Sequence, residues 1–443
     1  MQLIHALVVV AATAAIAHAQ APGDTQPTPS TNGSGDTPTT DDYRDVLGGE
    51  KPQTEVPVES TTTSSSSDEP VTGTGRFGVY HDSDSTTVLR GLATAAKEWG
   101  NWSLSATAVV DAVSSASVDV KTSPALGKVD VVTGASGRSS TTGGEMSDTR
   151  YLGTVAAGWN DTRGHTLALT TSLATERDYA SVSGGLNGSM DVLDRNVTLL
   201  GGFTVTDNWI SSVLDSTLHH KMAALGWSGG VARVLTPTDA VRLRYDGKYS
   251  DGYQASPYRS VRFGDWTTNT LSTGQITFSN TIGSADGLAE KYPETRLGTA
   301  LTGEWVHALA LGVGLHTSLR AAHDSWGVNS LTPAIDLRIA HSSWRMQIGY
   351  RFYLQSAADF FEDKYTMDPS MYGYYSADKE LGRQVGHLGN FDLTFPLIDA
   401  ATPNDSRMMM FFHTEVFHYD YTGYTLLPSR TSEFIEAGLS WEH

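Results

Sequence analysis

The sequence predicts one all-β unit: a single transmembrane, antiparallel, up-and-down barrel of about sixteen strands behind a disordered N-terminal tail. Three observations predict it. Apolar and polar residues alternate strictly over stretches of about ten or more residues, and the connections between those stretches are mostly short and long in turn. No apolar run behind the N-terminal one reaches the length of roughly eighteen residues that a spanning helix requires.

Composition sets bounds on function. The 443 residues carry 30 Lys+Arg against 49 Asp+Glu, a net charge of −19, which argues against nucleic-acid binding because a phosphate binder needs a clustered basic face. The absence of Cys excludes disulfides, thiolate metal sites, cysteine nucleophiles and a lipidated N-terminal Cys. A charged fraction of 18% with 44 Gly fits a β-rich exported protein better than a soluble enzyme.

Residues 1–19 read as a signal peptide: an apolar run from Leu3 to Ile16, then Ala17-His18-Ala19 with the small-x-small form of a cleavage site. Cleavage there would export the chain through a bacterial inner membrane with Gln20 as its new N-terminus. Residues 20–75 read as a linker of Pro, Ser, Thr, Asp and Glu with ten acids and two bases. Such a segment buries too little apolar surface to offset its ordering entropy. Tyr43, Val46 and Leu47 interrupt it, and a periplasmic partner for this tail is one expectation; a plain linker is the other.

Residues 76–443 form the barrel in this reading. On Val241, Leu243, Tyr245, Gly247 and Tyr249 one parity is apolar or small, while Arg242, Arg244, Asp246, Lys248 and Ser250 take the other. Trp344 to Gln355 repeats the pattern, as do Leu297 to Trp305, Leu311 to Leu319, Ile335 to Ile339 and Trp102 to Val110. Strand side chains alternate between faces, so each stretch has one oily and one wet side. A soluble sandwich would use strands of five or six residues, about half of these, whereas a tilted bilayer span takes about nine to eleven.

Connections give the second test, since outer-membrane barrels have tight turns inside and longer loops outside. Tight candidates are Trp99-Gly100, Asn160 to Thr162, Asp191 to Arg195, Thr236 to Thr238, Ala308 to Ala310 and Ser342-Ser343. Long ones are Val113 to Asp148, Asp207 to Ser216, Gly252 to Pro293 and Ala358 to Lys379. With a first strand near Phe77 to Asp82, the count is sixteen, even as required if both termini share a side. The last strand, with Ile435, Ala437, Leu439 and Trp441 on one parity, resembles the terminal signal read by barrel-assembly machinery, with His443 where an aromatic residue is commoner. Trp99, Trp102, Trp159, Trp305 and Trp344 lie near strand ends, where interfacial girdles facing outer-membrane lipid belong.

Five phrases go beyond pattern: Asp111 to Asp119, Ser256-Pro-Tyr-Arg259, Tyr292-Pro-Glu-Thr-Arg296, Tyr350 to Phe361 and Ser376 to Gly382. They resemble, in order, the blocks of a family of uncharacterised bacterial outer-membrane β-barrel proteins, the DUF3570 family, over roughly Arg76 to His443. The resemblance implies a fold and a compartment, the bacterial outer membrane. It brings no established activity. Flavin-transferring and thioredoxin-like gene neighbours of the family add an electron-transfer scaffold to the readings.

Parity places Arg242, Arg244, Lys248, Arg296, Arg320, Arg338, Arg345 and Arg351 inside, with Asp246, Glu304, Asp336, Glu415 and Glu436. Two readings compete. A cationic wall would favour anions in a pore, while pairing across strands would make a structural network, which the interleaving of signs favours. A second cluster is expected at the outer mouth: Tyr350, Arg351, Tyr353 and Gln355 with Asp378, Glu380 and the Asp111 to Asp119 segment, either as a solute constriction or as a loop-pinning cluster.

Enzyme signatures are weak. His81-Asp82-Ser83-Asp84 and His219-His220 hold ligand-type residues without a complete metal set. His316, His323, His341 and His413 have no nucleophile motif beside them, and no phosphate loop is present, so neither catalysis nor a cofactor is expected. The functional expectation is a pore or transport-type barrel for small solutes. The alternatives are a non-conducting scaffold and, third, a membrane-embedded enzyme.

Overall fold

A computed structural model describes residues 71–442 except 118–120, 123–145, 162, 213–214, 273, 342 and 399–406. The expected signal peptide and nearly all of the expected linker lie outside the described residues. Twenty strands follow in chain order: β1 (Val71–Asp82), β2 (Thr86–Trp99), β3 (Trp102–Ser115), β4 (Met146–Asn160), β5 (His165–Thr175), β6 (Tyr179–Val192), β7 (Val197–Ser211), β8 (His219–Thr236) and β9 (Asp239–Gly252). Four short strands come next: β10 (Ser260–Val261), β11 (Thr267–Thr270), β12 (Ile276–Ser279) and β13 (Leu288–Ala289). The chain then continues through β14 (Thr295–Ala310), β15 (Val313–Asp324), β16 (Asn329–Ala340), β17 (Arg345–Gln355), β18 (Arg383–Ile398), β19 (Arg407–Thr422) and β20 (Ser429–Glu442).

β1–β9 and β14–β20 make one closed barrel of sixteen antiparallel strands, each paired with its neighbours in sequence and β1 with β20. The strand number and the up-and-down order are those the sequence predicted. β1 starts earlier than expected: Val71 to Gly75, read as the end of the linker, pair with β2 on one side, and Thr72 to Gly75 pair with β20 on the other. Their outward positions carried no oily signal because Gly73 is bare. Trp441 of β20 lies over that glycine, so the partner strand supplies the missing apolar cover at the seam.

The alternation emerges as two faces. Leu243, Tyr245, Leu301, Leu319, Ile335, Ile348, Leu354, Ile435 and Leu439 point out of the barrel and stay 41–51% exposed. Their inward neighbours Arg242, Glu304, His316 and Asp336 keep at most 29% of their side-chain surface. The molecule is therefore oily outside and polar inside. Burying a side chain of this kind stabilises by about 1.5–3 kcal/mol, a term this outer face gains only in an apolar solvent. Among the described residues no helix is long and apolar enough to cross a membrane.

The two ends differ. At one end the described connections are short, and Gly100, at φ 56°, makes the turn that brings Trp99 opposite Trp102. At the other end the segment between β9 and β14 carries two small ladders, β10 with β13 and β11 with β12. Trp99, Trp102, Trp159, Trp305 and Trp344 all lie toward the short-turn end, as do the strand ends that carry them.

Candidate functional site: the lumen and its cap

The inward side chains of β9 and β14–β19 form an oblique polar ladder. Register explains it, because Arg242 stands opposite Glu304, His316 opposite Asp336, and Gly349 between Asp336 and Asn390. Arg242 donates twice to Glu304, at 3.0 Å from Nε and 2.8 Å from Nη2. His316 bridges Glu304, 3.4 Å from Nε2, and Asp336, 3.3 Å from Nδ1. Asp336 and Asn390 both lean across the bare Cα of Gly349. Asn390 Nδ2 donates to Asp392 at 3.3 Å, and His413 stands 2.6 Å from Asp392 and 3.2 Å from Glu415. The rungs begin three residues from the β8–β9 turn and climb to mid-barrel.

Other expected lumen charges find partners locally. Arg244 donates to Asp246 at 2.8 Å, Arg296 donates from Nε to Asp324 at 2.7 Å, and Glu436 accepts from Arg76 at 3.3 Å. Lys248, Arg320, Arg338, Arg345 and Arg351 lie on the same inward parity of β9 and β15–β17. Asp324, Asp392, His316 and His413 join this wall although the sequence reading had not placed them there. Asp324 sits at a strand end, whereas Asp392 lies in a clear alternation with Phe391, Leu393 and Phe395 that already marks it as inward.

Toward the long-loop end the lumen is filled. Tyr80, Phe417, Tyr419 and Tyr421 are 2–3% exposed, and with Tyr353, Leu388 and Phe434 they form one cluster against which Leu426 and Leu427 pack; the buried Arg430 lies over the Tyr419 and Tyr421 rings. Above them, the 253–294 loop and the 356–382 loop interlock. Backbone bonds join Lys291 to Tyr375 in both directions, and Gly264 donates to the Tyr365 carbonyl at 2.7 Å. Phe263 packs against Tyr365, Tyr372 and Tyr375. Glu290 accepts from Ser376 Oγ and the Ala377 amide, both at 2.9 Å, while Tyr292 and Ser376 hydroxyls meet at 2.7 Å. Arg259 ties the loops together, 2.8 Å from Asp378 and 3.7 Å from Glu290, with both carboxylate side chains fully buried. Lys364 donates to the Trp266 carbonyl and lies over its ring.

The expected mouth cluster is therefore rearranged. Gln355 does reach the second loop, donating to the carbonyls of Glu380 at 2.7 Å and Gly382 at 3.0 Å, and it accepts from Tyr353. The carboxylates go elsewhere: Asp378 to Arg259, Glu380 to Tyr421 and Arg430. Asp111 is held by Arg90 at 2.8 Å within the β2–β3 wall. Tyr350 faces outward, its hydroxyl 2.7 Å from His387, because it has the lipid parity of β17. Asp119 lies outside the described residues. Arg259, Glu290 and Arg430 were missed because nothing local marks a residue whose partner is a distant loop; Arg259 only fell within one of the quoted phrases.

Burial pushes the Asp378 carboxyl up to about 7 from 3.8. Glu290 and Glu380 push the same way, and Arg259 and Lys379 oppose it. A carboxyl whose pKa is higher in the closed cap than outside it takes up a proton on closing. Its contribution to closure is fully present below the ordinary carboxylate range and is lost as pH rises through about 7. The cap is expected to loosen between pH 5 and pH 8, read as faster hydrogen exchange at the Ser376 and Ala377 amides, and Asp378→Asn should flatten that profile.

Residues 218–388 match the model of a family described as "Protein of unknown function (DUF3570)". The segment holds four of the five phrases and the whole cap; the Asp111 to Asp119 phrase lies outside it. No curated protein matches the chain. Among solved structures, the chain is similar to the CymD monoaromatic hydrocarbon channel at 8% identity, over 85% of this chain and 88% of that one, with a TM-score of 0.35. It is similar to a bacterial polysaccharide outer membrane secretin at 9% identity, over 84% and 97%, TM-score 0.42. Similarity to the siderophore receptor PirA from Acinetobacter baumannii is 11% identity, over 79% of this chain and 53% of that one, about half the receptor's length, TM-score 0.38.

Proposed function

We propose that the protein is a small-solute channel of a bacterial outer membrane, open to water at its short-turn end and closed at its long-loop end by a two-loop cap. The observation that carries this reading is the polar ladder from Arg242 to Glu415 lying beneath a closure whose outer part is held by contacts between two loops rather than by the strand ladders of the barrel. A wall ladder is permanent, whereas a contact of that kind can open. In this reading the short turns face the periplasm and the tryptophans near them sit in the inner lipid interface. Outer-membrane lipid contacts the oily face, and barrel-assembly machinery reads β20 through Ile435, Leu439 and Trp441. The tail would extend on the periplasmic side, and no catalytic step or cofactor enters.

A second reading, a barrel that conducts nothing, is favoured by the burial of Tyr80, Phe417, Tyr419 and Tyr421 across the long-loop third of the lumen. Reconstitution into liposomes separates the two. The channel reading expects osmotic swelling that is slow in the intact protein and rises when the cap is weakened. Swelling at the rate of empty vesicles in both would leave only the scaffold.

A further inference from the structure

The inward face of the barrel has two unlike halves. On β9 and β14–β19 it is the charged ladder. On β3–β8, from the short-turn end to mid-barrel, it is mostly Ser, Thr, Asn, Gly and Ala, with hydroxyl pairs across strands: Thr154 with Ser172 at 2.9 Å, Thr166 with Ser189 at 2.7 Å, and Thr94 of β2 with Thr107 at 3.0 Å; the ion pairs of Asp111 with Arg90 and of Arg150 with Glu176 lie toward the long-loop end. Sign selection in a pore takes a ring of one charge. Here bases and carboxylates interleave: Arg242 answers Glu304, Arg244 answers Asp246, Arg76 answers Glu436, and each of His316 and His413 stands between two carboxylates, while Lys248, Arg320, Arg338, Arg345 and Arg351 share that inward parity.

We propose that this lumen is built to pass uncharged polyhydroxylated solutes, such as sugars and polyols, in preference to ions of either sign; the proposal rests on the channel reading above. An ion entering the ladder must compete with a partner already in place, and it loses hydration in doing so. A hydroxyl does not need to break a pair. An ionised carboxylate has about four lone-pair positions and a guanidinium five N–H donors, more than one ion pair uses. Hydrogen bonds to charged groups are about twice as strong as neutral ones. Neighbouring rungs are separated by the inter-strand spacing, about 4.8 Å, a step that a ring or chain of hydroxyls can bridge while passing between rungs. The opposite wall, donating and accepting through Ser and Thr, replaces the solute's remaining water.

The test compares solutes of one carbon frame and different charge: glucose and sorbitol, gluconate, and protonated glucosamine. Swelling of liposomes is measured with the full chain, with Arg259→Ala, and with a chain lacking residues 257–289, each first shown to be a folded barrel by its heat-dependent gel shift. The expected result is that glucose and sorbitol enter about five-fold or more faster than either ion, with a potassium-to-chloride permeability ratio within about two-fold of unity, as paired rather than single-sign walls require. Asp336→Asn combined with Asp392→Asn, which removes two of this wall's carboxylates, should raise gluconate entry and lower glucose entry. If gluconate or glucosamine enters as fast as glucose in an open variant, the polyol proposal fails and the channel reading stands. If no solute enters any variant, the channel reading itself fails.

Discussion

Replacing Arg259 by Ala is expected to open the channel. Arg259 is the cation between Asp378 and Glu290, whose side chains are fully buried where the two loops meet. Removing one member of a buried pair leaves an uncompensated charge and costs about 3–5 kcal/mol. That cost falls on the closed arrangement alone, because an open cap returns both carboxylates to water. At about 1.4 kcal/mol per decade, the ratio of closed to open cap should fall roughly a hundred-fold or more. Planar-bilayer recording reads this as a change from rare to dominant openings. Arg259→Lys, which keeps the charge but not the planar fork, should fall between the two. An Arg259→Ala protein that folds, inserts and opens no more often than the intact chain would remove the cap from the account.

The second large effect concerns the outer face. Ile348 points out of β17 and is 49% exposed, while Gln347 beside it points in. Ile348→Arg places a charge on the oily face toward the short-turn end of β17 and is expected to cost about 1–3 kcal/mol, between the midplane and interface values, whereas Gln347→Arg should cost little. Urea-driven unfolding in lipid vesicles measures both. Equal costs at the two positions would mean that the parity of β17 does not separate lipid from water.

How far these faces could be read from sequence depended on the range of the interaction. Period-two alternation placed Arg242 and Leu243 on opposite faces because side-chain direction on a strand is a local property. The pairing of Arg242 with Glu304 needed the β9–β14 register as well, and its extension through His316 to Asp336 needed two more strands. β1 was read short because Gly73 and Gly75 give no oily parity, and the cover over Gly73 comes from Trp441 at the far end of the chain. The cap was least legible. Arg351 and Gln355 were expected to meet Asp378, Glu380 or the Asp111 to Asp119 segment, and Gln355 does reach the Glu380 carbonyl; the added partners Arg259 and Arg430 come from other loop and strand ends and are fixed only by tertiary packing. Tyr350 shows the opposite failure, since its place in a motif outweighed the parity that put it outside.

The most direct test of a capped, water-filled barrel uses the absence of native Cys. Single cysteines at positions 347 and 348, on the inward and outward faces of β17 near its short-turn end, are exposed in oriented membranes to a bulky, charged, membrane-impermeant thiol reagent from one side at a time. The account expects position 347 to react from the short-turn side only, position 348 to react from neither, and position 347 to react from both sides once residues 257–289 are removed. Reaction at 348 as fast as at 347, or reaction at 347 from the long-loop side of the intact protein, would contradict it.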